Sequence, residues 1–229
     1  VREHTVKSYH EELARLKSKI ITMGKDTESQ LSQAVKALSD KDIALSETIV
    51  HKDGRVNILY NEIDHLTVRI LALRQPMAVD LRGIIAGLKI AGDLERTADY
   101  AANIAKHVPM LTHISFDLPL KSINQMAGIA RTMLNDIITA YANSDIRTAV
   151  DVWHRDDEID QIYAGLLTQL RHYMTQDSKN VDPYTNLLFV ARCCERIGDH
   201  ITNIAENVHF IEYGKSYCGS RKSDQKGSD

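Results

Sequence analysis

The segment LERTADYAANIAKHV, Leu94 to Val108, returns one hundred residues later as CERIGDHITNIAENV, Cys194 to Val208. Seven of the fifteen positions agree in register: Glu95/Glu195, Arg96/Arg196, Asp99/Asp199, Asn103/Asn203, Ile104/Ile204, Ala105/Ala205 and Val108/Val208. A shared core accounts for the last three pairs. It gives no reason to keep a glutamate, an aspartate and an asparagine at steps of four. The chain therefore reads as a duplication whose polar identities carry the functional information.

Outward from that pair the apolar residues recur at threes and fours, the period of one helix face. Leu13, Leu16, Ile20, Met23, Leu31, Ala34 and Leu38 lay out a first helix about 50 Å long at ~1.5 Å per residue. Ser39 to Asp42 supplies a break, after which Val56, Leu59, Ile63, Leu66, Ile70 and Leu73 mark a second. Pro76 ends it and suits the first turn of the third, which runs from about Met77 to Val108 and stops at Pro109. Residues 109 to 118 connect the halves.

Pro119 opens a fourth helix with Ile123, Met126, Ala130, Met133, Ile137 and Ala140 on its face. Asn143-Ser144 interrupts the pattern, and Ser144 is the expected N-cap of a fifth helix reaching about Thr175. Asp182-Pro183 reads as cap and first-turn proline of a sixth, ending near Gly214. The second helices also correspond, Glu62-Ile63-Asp64 matching Glu158-Ile159-Asp160 at a spacing of ninety-six. The expected fold class is all-α, two tandem three-helix bundles over 1–108 and 119–214, with a disordered tail over 215–229.

Composition narrows the function. Of 229 residues 43% are hydrophobic and 26% charged, and 28 basic against 31 acidic side chains leave a formal charge of -3, so nothing selects nucleic acid as a partner. No run approaches the roughly eighteen apolar residues of a membrane span, and VREHTVKSYHEEL lacks the apolar core of a signal peptide, which predicts a cytoplasmic protein. Cys193 and Cys194 are adjacent and Cys218 lies in a polar stretch, a pattern of neither disulfides nor zinc. His200 faces Tyr100 in the alignment of copies, so a repeated histidine ligand is excluded and a surface histidine is expected; Trp153 is read as packing. There is no phosphate-cradling glycine loop, nucleophile elbow or His-Glu-x-x-His segment.

On a helical wheel Leu94, Ala98, Ala101, Ala105 and Val108 fall within about 60° of one direction, and Glu95, Asp99 and Asn103 lie roughly 90° to 170° away. The copy behaves alike, with Cys194, Gly198, Ile201, Ala205 and Val208 inside. Di-iron bundle proteins aim Glu-x-x-His ligands into the core. Here the carboxylates point outward, as oxygen-rich strips suited to Mg²⁺, Mn²⁺ or Fe with positions left for water or an anion. Asp156 and Asp160 form another i, i+4 pair, and Asp64, which matches Asp160, lies roughly 140° from the Val56/Leu59/Ile63 seam and so faces outward; if second and third helices are neighbours, these strips converge with the others. Like charges at i, i+4 cost about 0.2–0.5 kcal/mol, so a repeated clash asks for a cation to offset it. A solvated helix face, with Arg96 or Arg196 merely pairing with a carboxylate, is the alternative.

Two segments, LRQPMAVDLRGIIAGLKIAGDLERTAD and LLFVARCCERIGDHITNIAENV, resemble the signature segments of the PhoU family of phosphate-uptake regulators, and the resemblance extends from Tyr9 to Gly214. Departures are Thr97-Ala98, where the family shows Ile-Gly, and Cys194, where leucine is common. The resemblance implies two similar three-helix bundles carrying metal on their outer surface at Glu95, Asp99, Glu195 and Asp199, with Asp64, Asp156 and Asp160 as further acidic positions. It implies a cytoplasmic negative regulator of the phosphate-starvation response, often a homodimer and not an enzyme. The implied partners are the phosphate ABC transporter, through its ATPase subunit, and a sensor histidine kinase, so that any membrane association is through them. The competing reading is a metal-dependent phosphohydrolase or di-metal oxidoreductase built on the same carboxylates.

Overall fold

The computed structural model describes residues 2–52, 54–112, 117–176 and 181–219, and among these the regular elements are all helical. The helices are α1 (Arg2–Asp40), α2 (Ile43–Lys52), α3 (Gly54–Arg74), α4 (Ala78–His107), α5 (Asp117–Asn143), α6 (Ile146–Gln176) and α7 (Val181–Tyr213), with a 3-10 turn over Val108–Leu111. Asp53, between α2 and α3, lies outside the described residues, so the second expected helix corresponds to those two stretches together.

Local chemistry sets most of the ends. Asp42 Oδ1 accepts from the Leu45 amide at 2.9 Å and so caps α2. Gly214, at φ 71, terminates α7 with its amide bonded to the Phe210 carbonyl at 2.9 Å, the left-handed step glycine makes at least cost. Three expected caps shift. Ser144 takes φ 56, and the cap of α6 is Asp145, whose Oδ1 accepts from the Thr148 amide and Oδ2 from its hydroxyl. Pro76 precedes α4 instead of entering it, because Gln75 and Ala78, at φ 47 and 50, turn the chain sharply on either side of it. Asp182 lies inside α7, which already begins at Val181.

The first and third helices of each half, α1, α4, α5 and α7, form the central packing, while α3 leans on α1 and α4, and α6 on α5 and α7. The most extensive contact in the molecule is between α4 and α7. Arg82 Nε donates to Ile211 O at 3.1 Å, Asp93 meets His200 and Asn203, and His107 meets Asn186. Those pairs run in opposite directions, so the two helices are antiparallel. The matching positions Tyr100 and His200 meet where they cross, ring centroids 5.7 Å apart and planes tilted by 31°, as an approximate two-fold relation between the copies requires.

Each third helix consequently buries two faces. Leu94, Ala98, Ala101, Ala105 and Val108 are buried as expected, but so are Thr97, Ala102 and Ile104, and α7 repeats this with Ile197, Thr202 and Ile204. The small side chains let the helices approach closely, and the buried residues of both halves join in one core. Across α1, Lys19 pairs with Glu62 and Arg74 Nε with Glu12 Oε2 at 2.7 Å, tying the flanking helix down. The expected tail is described to Gly219, and its first part is packed: Tyr217 sits edge-on to Trp153 at 5.2 Å and meets His154 Nε2 at 3.0 Å. Residues 220–229 lie outside the described residues.

Candidate metal centre

The two strips sit where α4 passes α3 and where α7 passes α6. Side-chain exposure is 24% for Glu95 and 36% for Asp99, against 13% for Glu195 and 29% for Asp199. These are boundary positions, neither in the core nor on an open ledge, because the neighbouring second helix shades the outward face of the wheel. Asp64 and Asp160 are likewise half-buried.

Asp156 is set deeper than the other acidic positions. This carboxylate is 2% exposed and faces α7, with Oδ1 only 2.3 Å from where a Cβ on Gly198 would stand. A wheel centred on the apolar seam of α6 could not show it, because α7 presents a glycine where any other residue would exclude the side chain. His200 was expected at the surface; it is half-buried and its Nδ1 bonds Asp93 Oδ1 at 2.9 Å, with Asn203 Nδ2 donating to the same oxygen at 3.3 Å. Asp93 is the residue the sequence reading missed, for its counterpart is Cys193 and the repeat gave no signal.

Electrostatic compensation comes first from arginine. Arg96 lies between Glu95 and Asp99, with Nε and Nη1 each 3.6 Å from a carboxylate oxygen. In the second half the pairing is tighter: Arg196 Nη1 donates to Asp199 Oδ2 at 2.9 Å and Arg192 Nη1 to Glu195 Oε1 at 2.7 Å. The repeated arginine therefore offsets the i, i+4 repulsion within each motif.

That compensation is incomplete at Glu195. Its Oε2 is buried, accepts no hydrogen bond, and has Arg196 Nε at 3.6 Å. Burial pushes its carboxyl pKa up, as does the charge of Asp199; Arg192 and Arg196 oppose this, and Asp160 adds to it. Such a group gains from a cation that can reach it. The donor set is all oxygen, as hard divalent ions require, and the Gly198 cradle admits Asp156 beside it. A Mg²⁺, Mn²⁺ or Fe ion thus fits the chemistry of these residues. Among the described residues no three His, Cys, Asp or Glu side chains are gathered as a preformed site, so an ion would have to draw the carboxylates off their arginines.

Where the two halves meet, a depression of about 530 Å³ is lined by Tyr60, Asp93, Glu95 and Arg96 from the first and Asn203 and Glu206 from the second, among others. Cys193 and Cys194 are free and buried, and burial raises the Cys193 thiol to about 11, so they hold no reactive thiolate.

The comparisons agree with this architecture. The family model described as PhoU domain matches twice, over residues 20–108 and 123–208. The Phosphate-specific transport system accessory protein PhoU homolog of Caulobacter vibrioides is 43% identical over 96% of both chains, and that of Zymomonas mobilis 41% over 93% of this chain and 90% of the relative. Crystal structures of PhoU from Pseudomonas aeruginosa and of the phosphate transport system regulatory protein PhoU from Streptococcus pneumoniae superpose with TM-scores of 0.87 and 0.86, at 33% and 29% identity. They cover 90% and 92% of this chain, and all of each solved chain is covered. With its domain model matched in both halves and relatives at this identity over nearly its whole length, the chain belongs to the PhoU family.

Proposed function

We propose that this protein is a non-enzymatic accessory regulator of phosphate uptake, a cytoplasmic adaptor that restrains the high-affinity phosphate transporter and reports its state to a sensor histidine kinase. The supporting observation is the Glu-Arg-x-x-Asp strip, present on both α4 and α7 and half-buried against a second helix in each half. Glu95, Asp99, Glu195 and Asp199 would hold a divalent cation there in place of their arginine partners, and its charge would alter the two faces a partner would meet. The relatives' names place them with phosphate transport, and the family is regulatory. The ATPase subunit of the transporter and the kinase are the partners this reading names, with a homodimer as the acting form. Among the described residues no helix is long and apolar enough to cross a membrane, so contact with membrane proteins is through docking.

The test uses a strain lacking its own copy of this protein and carrying a phosphate-starvation reporter. The wild-type chain should silence the reporter in phosphate-rich medium, bind divalent metal when purified, and retain the ATPase subunit on a column. The variant Glu95→Gln, Asp99→Asn, Glu195→Gln, Asp199→Asn should be folded, metal-poor and unable to silence. Full silencing by that variant would remove the strips from the function. Phosphoester turnover lost in the same variant would move the reading to an enzyme.

A further inference from the structure

The face formed by α4 and α7 carries the same motif at both ends but not the same charge. Because the helices are antiparallel, the start of α4 lies beside the end of α7, where Lys89, Gly92, Asp93 and Glu206 surround the depression. The end of α4 lies beside the start of α7, where His107 stacks on Phe189 at 5.6 Å. The offset of one hundred matches the two ends position by position: Lys89 with Phe189, Gly92 with Arg192, Asp93 with Cys193, and Lys106 with Glu206. Lys89 against Asp93 and Glu206 leaves the first end one negative charge, and Arg192 with Lys106 gives the second two positive ones. The shared Glu-Arg-x-x-Asp motif adds one negative charge to each, so with histidine neutral the ends stand at minus two and plus one. Lys106 Nζ donates to the neutral amide of Asn103 at 3.0 Å, and Glu206 Oε1 accepts from the neutral Trp153 indole at 3.2 Å, so those contacts cancel neither charge. Arg192 is paired with Glu195, yet its side chain is still 43% exposed. Relief differs as well: the first end is hollow, whereas at the second Phe189 and Met110 are exposed.

We propose that this face is the contact between two copies of the chain, paired face to face about a two-fold axis that lies in the plane of the face and passes the crossing of Tyr100 and His200. The inference rests on the homodimer reading above and names the surface that makes it. Such an axis turns one copy end for end, so the negative end of each meets the positive end of the other. Both contacts are then alike and the assembly closes at two. In this pairing α4 lies antiparallel on the α4 of the second copy, and α7 on its α7. Counting ~1.5 Å per residue on either side of the crossing, Lys106 comes over the stretch around Asp93 of the second copy, Arg192 over that around its Glu206, and Phe189 over that around its Phe210. Each contact therefore joins opposite charges and an aromatic pair, with the exposed side chains of one end set over the hollow of the other. From Lys89 to Met110 the face is about 30 Å long and two helices wide, roughly 600 Å² a copy. That places the pair near the lower bound of stable interfaces, about 1,200 Å² in total, where complementary charge decides orientation. Turning the second copy about the long axis of the face instead would set like ends together. A phosphate-rich surface suits the face less, because the motif carboxylates Glu195 and Asp199 remain at its positive end.

The experiment is sedimentation velocity on the metal-stripped full-length protein over a range of concentrations, with folding checked by circular dichroism. The wild type should be a dimer whose Kd rises with salt, a readout that needs no variant. Lys106→Glu makes the positive end negative, and Glu206→Lys with Asn207→Lys makes the negative end positive. Each variant then repels itself at both contacts, and its Kd should rise at least about tenfold. An equal mixture of the two should dimerise again, because both contacts of the mixed pair join opposite ends, and chains that fail to fold could not recover in this way. A wild-type dimer indifferent to salt and to both variants overturns the surface and leaves the homodimer standing. Variants that stay monomeric when mixed overturn the pairing of ends. A wild type that is monomeric at every concentration overturns this inference and the homodimer reading together; if Lys106→Glu then also fails to retain the ATPase subunit, the face belongs to that partner instead.

Discussion

Gly198→Ala is the substitution on which sequence rules and the tertiary contact disagree in sign. In the interior of a helix, glycine to alanine stabilises by about 1 kcal/mol through backbone entropy. At Gly198 the added Cβ would lie 2.3 Å from Asp156 Oδ1 and 3.2 Å from Ile159 Cδ1, where ordinary contact begins near 3.4 Å. An overlap of that depth forces α6 and α7 apart or turns the buried carboxylate away, and overpacking of this kind costs about 1–3 kcal/mol. Taking the middle of that range, the net is a loss of about 1 kcal/mol. For a protein of this length it is a fall in Tm of about 2–4 °C. Gly128→Ala and Gly165→Ala are the controls: both sites are exposed and helical with nothing within 4 Å of the new methyl, and each should gain about 1 kcal/mol. Differential scanning calorimetry of metal-free protein should therefore separate Gly198→Ala from Gly128→Ala by about 4–8 °C. Removing the obstructing carboxylate with Asp156→Ala should make the Gly198→Ala step less costly by about 1 kcal/mol, a coupling that a double-mutant cycle isolates. If Gly198→Ala melts as high as Gly128→Ala, the carboxylate is not seated against the glycine and the account of the second-half site fails.

Arg196→Gln should cost metal-free protein more than Arg96→Gln, at most about 1 kcal/mol against nearly nothing, since only the former loses a 2.9 Å contact; equal urea midpoints for the two would contradict the geometry. Glu12 is held below its ordinary carboxylate value first by the hydrogen bond from Arg74, so its contribution is complete above about pH 4.5 and disappears as pH falls through the lowered value. Glu12→Gln should accordingly lower Tm at neutral pH and leave it unchanged in strong acid, and a Tm gap that persists once the carboxylates are protonated would assign the effect to packing. Tyr217→Ala should uncover the edge of Trp153, the single tryptophan, shifting its emission to the red and increasing iodide quenching; an unaltered spectrum would show that the segment after α7 does not lie against it.

How much was legible can be judged residue by residue. Proline and glycine punctuation located the helix ends near Pro76 and Gly214 because those residues act on their own backbone. Cap identity was less secure, since Ser144 and Asp145 are both competent and only the turn's left-handed step at Ser144 selects Asp145. Glu95, Asp99, Glu195 and Asp199 were found through repetition, which needs no structure. The arginine pairing that offsets them was weighed as the plainer alternative and is present, so the strips are not bare ledges.

The sequence by itself determined the all-helical class, the duplication, and which positions repeat their charge, because periodicity, capping and identity are properties of a chain read against itself. Tertiary structure decided what covers each face. A helical wheel knows one buried direction per helix, yet α4 and α7 each bury a second against the other. For the same reason the burial of Asp156 is not legible from its own helix, since the space that receives it belongs to Gly198 on another. Asp93 and His200 meet only because the copies cross antiparallel, and no spacing along the chain encodes that crossing.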